Sequence, residues 1–579
     1  MNILGISCFY HDSAAALVTD GCLVAAAAEE RFTGIKHDAE FPAAAIQYCL
    51  EKAGLSIAEI DRIVFYDKPF TKFDRILNSY LRTAPRSYAA FRKAIPVWLR
   101  QKLWLPQTIK KELGYDGPVL FIEHHLSHAA GTYFSSPFER AAILTIDGVG
   151  EWATGAIGAA SGNEIRLDRV MNYPHSVGLL YSAFTYFLGF QVNSAEYKVM
   201  GLAPYGTPRY TDLIEKKLVR IFDDGSIHLN MRYFDYHYGL RMTGKRFAKL
   251  FGRPRRDPDT PLTETDRDIA ASIQQVTEKI VLQMARHTRN STGENNLCLS
   301  GGVALNCAAA GKLLKANLFD KIYIQPAATD SGGAAGAALY IYYALTGDSK
   351  RGEQDYLNLG PSYPATELKA FLDKENIPYT PFDRDNLPAY LARTLADQKI
   401  VALFRGPMEF GPRALGFRSI LADPRRADMK ERINRAVKFR EPFRPFAPAV
   451  TEERAAEYFD CDRPSPYMLF NFSVRESKHE VIPAVTHIDG TARLQTVGRN
   501  QNRLLHDILN AFEHETGVAV LLNTSFNLRG HPIVRTPQDA FRTFISSGID
   551  ILVLENMVID KTKLDPARFE AMKISSGTD

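Results

Sequence analysis

One strand pattern is written twice in the first third of the chain, and it constrains the fold more than any other feature. Residues 2–8 form an apolar run, and a polar break follows at His11-Asp12-Ser13. Residues 14–18 and 22–28 then continue as apolar strands on either side of Asp20-Gly21. This alternation predicts a strand–turn–strand hairpin. It recurs at 141–158, where AAILTID runs into Gly148-Val149-Gly150 and then ATGAIGAA. Each copy sets an acidic residue at a strand end, which predicts a duplicated, nucleotide-handling α/β domain.

The rest of the chain is too long for that domain alone. Its 579 residues exceed the ~150 of an average domain several-fold. The polar, turn-rich stretch 347–364 is expected to be a linker. Beyond it helical segments such as 365–374 alternate with strands such as 399–404, 518–522 and 549–554, implying a second α/β domain. The expected domains are therefore 1–350 and 355–579. Apolar residues at 45% and charged residues at 23% exclude a disordered, collagenous or coiled-coil chain. A net charge of +4 does not by itself argue for a nucleic-acid partner. The six cysteines form no CxxC pair, so neither a zinc ribbon nor a disulfide framework is indicated. No leader pattern opens the chain, and the apolar run near 334–345 falls short of the ~20 residues that cross a bilayer. A cytoplasmic protein without a membrane partner is the expectation.

An inserted helical segment is expected near 70–113. Between Lys72 and Glu112 it carries ten Lys/Arg against two acids, with Trp98 and Trp104. It reads either as a surface for nucleic acid or anionic membrane, or as an insert with a solvated basic face. A second basic stretch, 245–256, is broken by Pro254 and reads as a surface loop.

No GxxxxGK[ST] and no GxGxxG after a strand is present, so P-loop and Rossmann chemistry are unsupported. Three other glycine turns are candidates for facing phosphate: Asp147-Gly148-Val149-Gly150, Ser300-Gly301-Gly302 with Asn306 beyond it, and Asp330-Ser331-Gly332-Gly333. In EHHLSHA, His124 and His128 are four apart and share a face if helical, a spacing that suits a divalent transition metal. Asp147 and Asp330 are remote carboxylates able to complete a shell; satisfied surface histidines are the alternative. His11 ends the first strand, where it is either a proton acceptor or a turn residue. The densest cationic cluster, EFGPRALGFRS followed by KFREPFRPF, sets Arg and Lys among Gly, Pro and Phe. Such cations suit a phosphate-bearing ligand. DGTAR and NTSFN are polar clusters that complete the same pocket.

Taken together, HDSAAAL, EERFTGIKHD, HHLSHAA, PHSVGLLYSAFT, EYKVMGLAPYG, LSGGVALNC, EFGPRALGFRSILADPR and VLLNTSFNLRGHPIV resemble the NodU/CmcH-type O-carbamoyltransferases, in motif order and over nearly the whole chain. The resemblance implies an actin-like ATPase (ASKHA) domain, similar to threonylcarbamoyl transferases of the TsaD type, followed by a YrdC-like α/β domain. It implies an enzyme that makes carbamoyl-adenylate from ATP and carbamoyl phosphate, then carbamoylates a hydroxyl or amine of a small-molecule acceptor. It places His124, His128, Asp147 and Asp330 on an iron or other divalent metal, with Mg2+ a further candidate, and His11 as general base. It sets Lys36, Gly148, Gly150, Ser300, Gly301, Gly302 and Asn306 on the nucleotide. Lys438 and Arg444 become catalytic, with Arg413, Arg418, Arg440, Arg493, Asn523 and Ser525 lining the second pocket. Pro407 and Phe417 depart from the family, which has a basic residue and Asn there. The implied acceptor is a secondary metabolite or sugar, nucleic acid is not an expected partner, and a homodimer is compatible. The rivals are a threonylcarbamoyl transferase-like enzyme acting on tRNA and a non-catalytic ATP-dependent binding module of the actin-like fold.

Overall fold

A computed structural model describes residues 1–348, 351–352 and 359–577, so part of the expected linker lies outside the described residues. The chain divides into two compact units, Met1–Glu29 with His37–Gln354, and Glu30–Lys36 with Asp355–Asp579.

In the first unit β1 (Asn2–Ser7), β2 (Ala14–Thr19) and β3 (Cys22–Ala28) form an antiparallel meander. β4 (Arg62–Phe65) and β5 (Val119–Phe121) add in parallel beyond β1, giving the order β3-β2-β1-β4-β5. The second half repeats this. β6 (Arg140–Ile146), β7 (Ala153–Ser161) and β8 (Glu164–Asn172) form a meander, and β9 (Asn296–Ser300) and β10 (Lys321–Ile324) add in parallel beyond β6. The unit is thus the duplicated sheet of the actin-like ATPase fold. The strand sequences follow from their positions. Central β1 and β2 are almost continuously apolar and buried, whereas outermost β8 alternates partly buried and exposed residues over its first half.

The insert between β4 and β5 consists of α1 (Pro69–Arg82), α2 (Tyr88–Arg100) and α3 (Leu105–Leu113). After β5 comes α4 (His124–Tyr133), then the long α5 (Glu264–Thr292), whose cap Thr263 and third residue Asp266 bond each other's backbone N–H. α6 (Asp330–Thr346) follows β10 and begins DSGGAAGAA. Its small residues are a packing requirement. A Cβ on Gly336 would lie 1.9 Å from Ser127 O in α4, and one on Gly5 of β1 would lie 1.9 Å from Ala334 O. That close approach brings the first residue of α6, Asp330, to the first turn of α4.

The stretch 245–256 is not simply the expected surface loop. Lys245–Leu250 is a helix whose Phe247 is buried against Phe184, Phe187, Phe234 and Phe251. Arg256 is also buried and donates to the carbonyls of Leu188, Asp257 and Pro258. Sequence charge alone hides the aromatic face beneath it.

The second unit is built on an eight-stranded mixed sheet. Its main strands are β11 (Val401–Phe404), β12 (Arg418–Ala422), β13 (Ala447–Thr451), β14 (Gln495–Val497), β15 (Val520–Ser525), β16 (Ile551–Leu554) and β17 (Met557–Asp560). They run in the order β17-β16-β11-β12-β15-β13-β14, with the short Thr380–Pro381 outside β17. The segment Glu30–Lys36 belongs here, although it falls within the expected first domain. Arg31 donates to Gly411 O at 3.0 Å, and Arg535 donates to Arg31 O at 3.1 Å and stacks on Phe32. Among the described residues no helix is long and apolar enough to cross a membrane. The six cysteines are unbridged.

Candidate active site

Four buried side chains from three elements of the chain converge in the first unit. His124 and His128 stand one turn apart on α4, Asp147 follows β6, and Asp330 opens α6. His124 Nε2 lies 3.1 Å from Asp147 Oδ2 and 3.7 Å from Asp330 Oδ1. His128 Nε2 lies 3.2 Å from His124 Nε2 and 3.7 Å from Asp330 Oδ1. One ligand atom of each lies within 4.8 Å of all the others. Burial opposes charge on both carboxylates, yet the histidines hold Asp147 well below the usual range and Asp330 below it, while Asp147 pushes Asp330 up. Among the described residues neither acid pairs with Lys or Arg. Two imidazole nitrogens and two carboxylates facing one point, without a resident cation, fit a divalent transition ion. The neighbouring His125 is not part of the set. It bonds Thr145 Oγ1 at 2.7 Å and Ala153 O at 3.0 Å, and burial pulls it down to about 3.

The glycine turns shape this cluster. A Cβ on Gly150 would lie 2.8 Å from His124 Cβ. Gly301 has φ +89°, and a Cβ there would lie 2.4 Å from Ile146 O. That strained turn lets Gly302 N–H donate to Asp147 Oδ1 at 2.8 Å. Gly148 O accepts from Ser176 Oγ at 2.7 Å, while the space beside Gly148 is open. Ser300 Oγ is buried without a partner. Asn306 is committed to structure: it caps its helix by accepting from Ala309 N–H and exchanges hydrogen bonds with Gln274. Asn306 thus has its Oδ1 and one Nδ2 hydrogen engaged within the protein.

His11 lies in a turn between β1 and β2 where Phe9 and Asp12 both take positive φ. Its Nε2 is 3.9 Å from Asp330 Oδ2 and its Nδ1 3.3 Å from Asp12 Oδ2. Asp12 Oδ1 is 2.7 Å from His37 Nδ1. Burial lowers the His11 imidazole, but Asp330 and Asp12 together hold it well above its ordinary value. Several neighbours escape a motif reading. Tyr66, next after β4, donates to Asp330 Oδ2 at 3.0 Å. Glu151 accepts from His124 N–H at 3.0 Å and Lys68 N–H at 2.8 Å. Lys72 on α1 is buried and paired with Asp67, its Nζ 4.9 Å from the Tyr10 ring. The insert's amphipathic pattern was the available signal that one basic face turns inward.

In the second unit Lys438 ends a π-helical turn, Asn434–Lys438. Its Nζ donates to Asn527 Oδ1 at 2.7 Å, Ser525 Oγ at 3.2 Å and the Ser525 carbonyl. Arg440 donates to Asn434 Oδ1 at 2.7 Å and stacks on Phe446. Asn434 in turn donates to Arg444 O, and Arg444 lies 3.6 Å from Glu441. These residues are therefore brought together. Arg493 stands on the short strand Thr491–Arg493 and faces His487 electrostatically, while Arg413 is half-buried in the loop before β12. Two expected ligand groups are instead structural. Arg418 is fully buried on the Phe404 ring and donates to the carbonyls of Arg405, Phe417, Pro361 and Gly406. Asn523 is buried on β15 and donates to Ala414 O and Gln495 Oε1. Arg418 opens β12, all five residues of which are buried, so its burial follows from strand position rather than charge. Phe417 packs with Leu415, Ala447 and Met468.

A duplicated actin-like sheet with a buried His/Asp centre, joined to a second mixed α/β unit, defines an ATPase-fold enzyme with an added module. The chain belongs to the carbamoyltransferase family and is a carbamoyltransferase: the carbamoyltransferase N-terminus matches residues 2–339 and the carbamoyltransferase C-terminus residues 392–561. It is 49% identical to an uncharacterised protein of Synechocystis sp., with 97% of both chains covered. It is 40% identical to nodulation protein NolNO of Sinorhizobium fredii, over 98% of this chain and 81% of that one. Nodulation protein NolO of Bradyrhizobium diazoefficiens is 41% identical over 76% and 79% of the two chains.

Proposed function

We propose that the second unit forms carbamoyl-adenylate from carbamoyl phosphate and ATP, and that the first passes the carbamoyl group to a hydroxyl or amine of a small molecule, a secondary metabolite or sugar. His11 carries this reading: a histidine held beside Asp330 at the edge of the four-residue cluster, in a chain of the carbamoyltransferase family.

In the first half-reaction water cleaves carbamoyl phosphate to carbamate and inorganic phosphate; a carbamate oxygen then attacks the α-phosphorus of ATP, and the bond to pyrophosphate breaks as the new P–O bond forms. Substrates and product are anions, and Lys438, Arg444, Arg413 and Arg493 supply the positive charge that steadies them. Lys438 is held in place by Ser525 and Asn527, so it need not reorganise as charge develops. In the second half-reaction the acceptor oxygen bonds the carbamoyl carbon, the bond to AMP breaks, and His11 Nε2 takes the hydroxyl proton. Asp12 beside Nδ1 stabilises the imidazolium so formed. An iron or other divalent ion held by His124, His128, Asp147 and Asp330 would supply Lewis acidity to the adenylate phosphate and offset the Asp330 charge that raises His11.

The test is pyrophosphate release from ATP with and without carbamoyl phosphate, followed by mass spectrometry of a panel of hydroxylated metabolites. Release that ignores carbamoyl phosphate refutes the first half-reaction. A carbamoyl-type mass gain on tRNA alone transfers the chain to the tRNA-modifying reading.

A further inference from the structure

One buried cation of the first unit, among the described residues, meets an aromatic ring but no hydrogen-bond acceptor. Arg75 lies one turn after Lys72 on α1 and is only 6% exposed. Its guanidinium stacks 5.0 Å from the centre of the Tyr173 ring. Among the described residues it makes no hydrogen bond or ion pair, and its Nε is shut off from solvent. The nearby carboxylates are already engaged: Asp67 holds Lys72, and Glu151 holds the N–H groups of Lys68 and His124. Its Nε–H is an enclosed donor without an acceptor, while the Nη groups beside it stay open to a ligand, and an oxyanion gripped in a fork answers both.

The place of this cation says which ligand. Lys72, its neighbour on the same helix, covers the ring of Tyr10, and Tyr10 stacks 5.0 Å from His11. The duplicated sheet already provides the His/Asp centre and the glycine turns. Arg75 comes from the insert that interrupts that sheet, so it serves a ligand beyond those the core holds. We infer that Arg75 is a specificity residue for the acceptor, and that the acceptor carries a carboxylate or phosphate near the hydroxyl that is carbamoylated. This rests on His11 being the base of the transfer step. A planar guanidinium matches either oxyanion in a fork, and a neutral acceptor leaves it unmet.

The experiment is thermal unfolding of the full chain with small matched probes: glycerol, D-glycerate and glycerol 3-phosphate. The two anions, and not glycerol, should raise the Tm of the wild type. Arg75→Met should lose the response and bind the anions about 10- to 100-fold more weakly, and Arg75→Lys should keep part of it. Without ligand, Arg75→Met should be at least as stable as wild type, because an unpartnered buried charge is removed. Equal shifts from glycerol and glycerate, or an anion shift unchanged in Arg75→Met, overturn the inference. The shift should persist with ATP and carbamoyl phosphate at saturation. Its disappearance there assigns Arg75 to the donor's phosphate and overturns the acceptor assignment. Pyrophosphate release in the same wild-type preparation checks the two-step reading separately.

Discussion

The two polar clusters of this chain are built on opposite terms. In the first unit His124, His128, Asp147 and Asp330 turn their ligand atoms toward one another, and among the described residues none of them forms an ion pair with Lys or Arg. In the second unit the cations are distributed over loop ties: Lys438 to Ser525 and Asn527, Arg440 to Asn434, Arg418 to four carbonyls. Donors that converge on one point fit an added ion. Under the proposed function Lys438 and its neighbours hold anions that come and go, whereas Arg418 ties loop carbonyls together. That contrast separates residues that act from residues that build, and it can be broken by substitution.

The largest effect should come from splitting the half-reactions. His11→Ala is expected to keep carbamoyl phosphate-dependent pyrophosphate release and to lose transfer by ~10²–10⁴-fold. Lys438→Ala and Arg444→Ala should show the reverse order of damage, with pyrophosphate release lost first. Measuring both steps in each variant decides it, and a parallel loss in His11→Ala would refute its role as base.

Next is the ion. Protein purified without chelator should contain about one divalent metal per chain, and His124→Ala or His128→Ala should bind it at least ~10²-fold more weakly. Elemental analysis of the refolded and native preparations reads this directly. His125→Ala is the control. It loses bonds to Thr145 and Ala153 and should cost stability while retaining the metal. Equal metal loss in all three variants would mean that the helix, not the donor set, was tested.

Arg418→Met sharpens the other side of the comparison. It leaves the carbonyls of Arg405, Phe417, Pro361 and Gly406 without their buried donor and should destabilise the chain by ~3–5 kcal/mol in chemical denaturation. A variant of normal stability that has lost ATP affinity would return Arg418 to the ligand pocket.

What the sequence showed, and what it hid, follows the same division. The duplicated meander was legible because strands buried on both faces are nearly all apolar, as in β1 and β6. The HxxxH pair was legible because one helical turn fixes its geometry. The carbonyl ties of Arg418 and Asn523 were hidden because a charged or amide side chain inside a strand looks the same in sequence whether it meets a ligand or a carbonyl. Lys72 and Arg75 were hidden because their roles depend on how α1 packs, and Tyr66 because it meets Asp330 across the fold, which no local motif encodes. Lys36 went to the wrong unit because the chain leaves the first unit for only seven residues, Glu30–Lys36.

The smallest expected effect is a pH dependence confined to the second unit. His487 is half-buried, and its Nε2 is shut off from solvent. Burial lowers its imidazole to about 4; Asp489 pushes the other way, and Arg493 and Lys430 add to the lowering. The folded chain therefore refuses a proton that the unfolded chain accepts near the ordinary value of ~6.5. As pH falls from ~6.5 to about 4, the unfolded state gains that proton first, so stability is lost across this window. Above ~6.5 neither state is charged there, and the contribution is fully present. Discounted for partial exposure, the loss should be ~1–2 kcal/mol. His487→Gln should flatten that part of the curve when stability is followed by denaturation between pH 7 and 4. Binding of an anion beside Arg493 should flatten it as well, because the cation that helps to repel the proton is then answered. A slope unchanged in His487→Gln would show that other groups carry the acid sensitivity. A slope flattened by substitution but not by ATP would separate His487 from the pocket of Arg493.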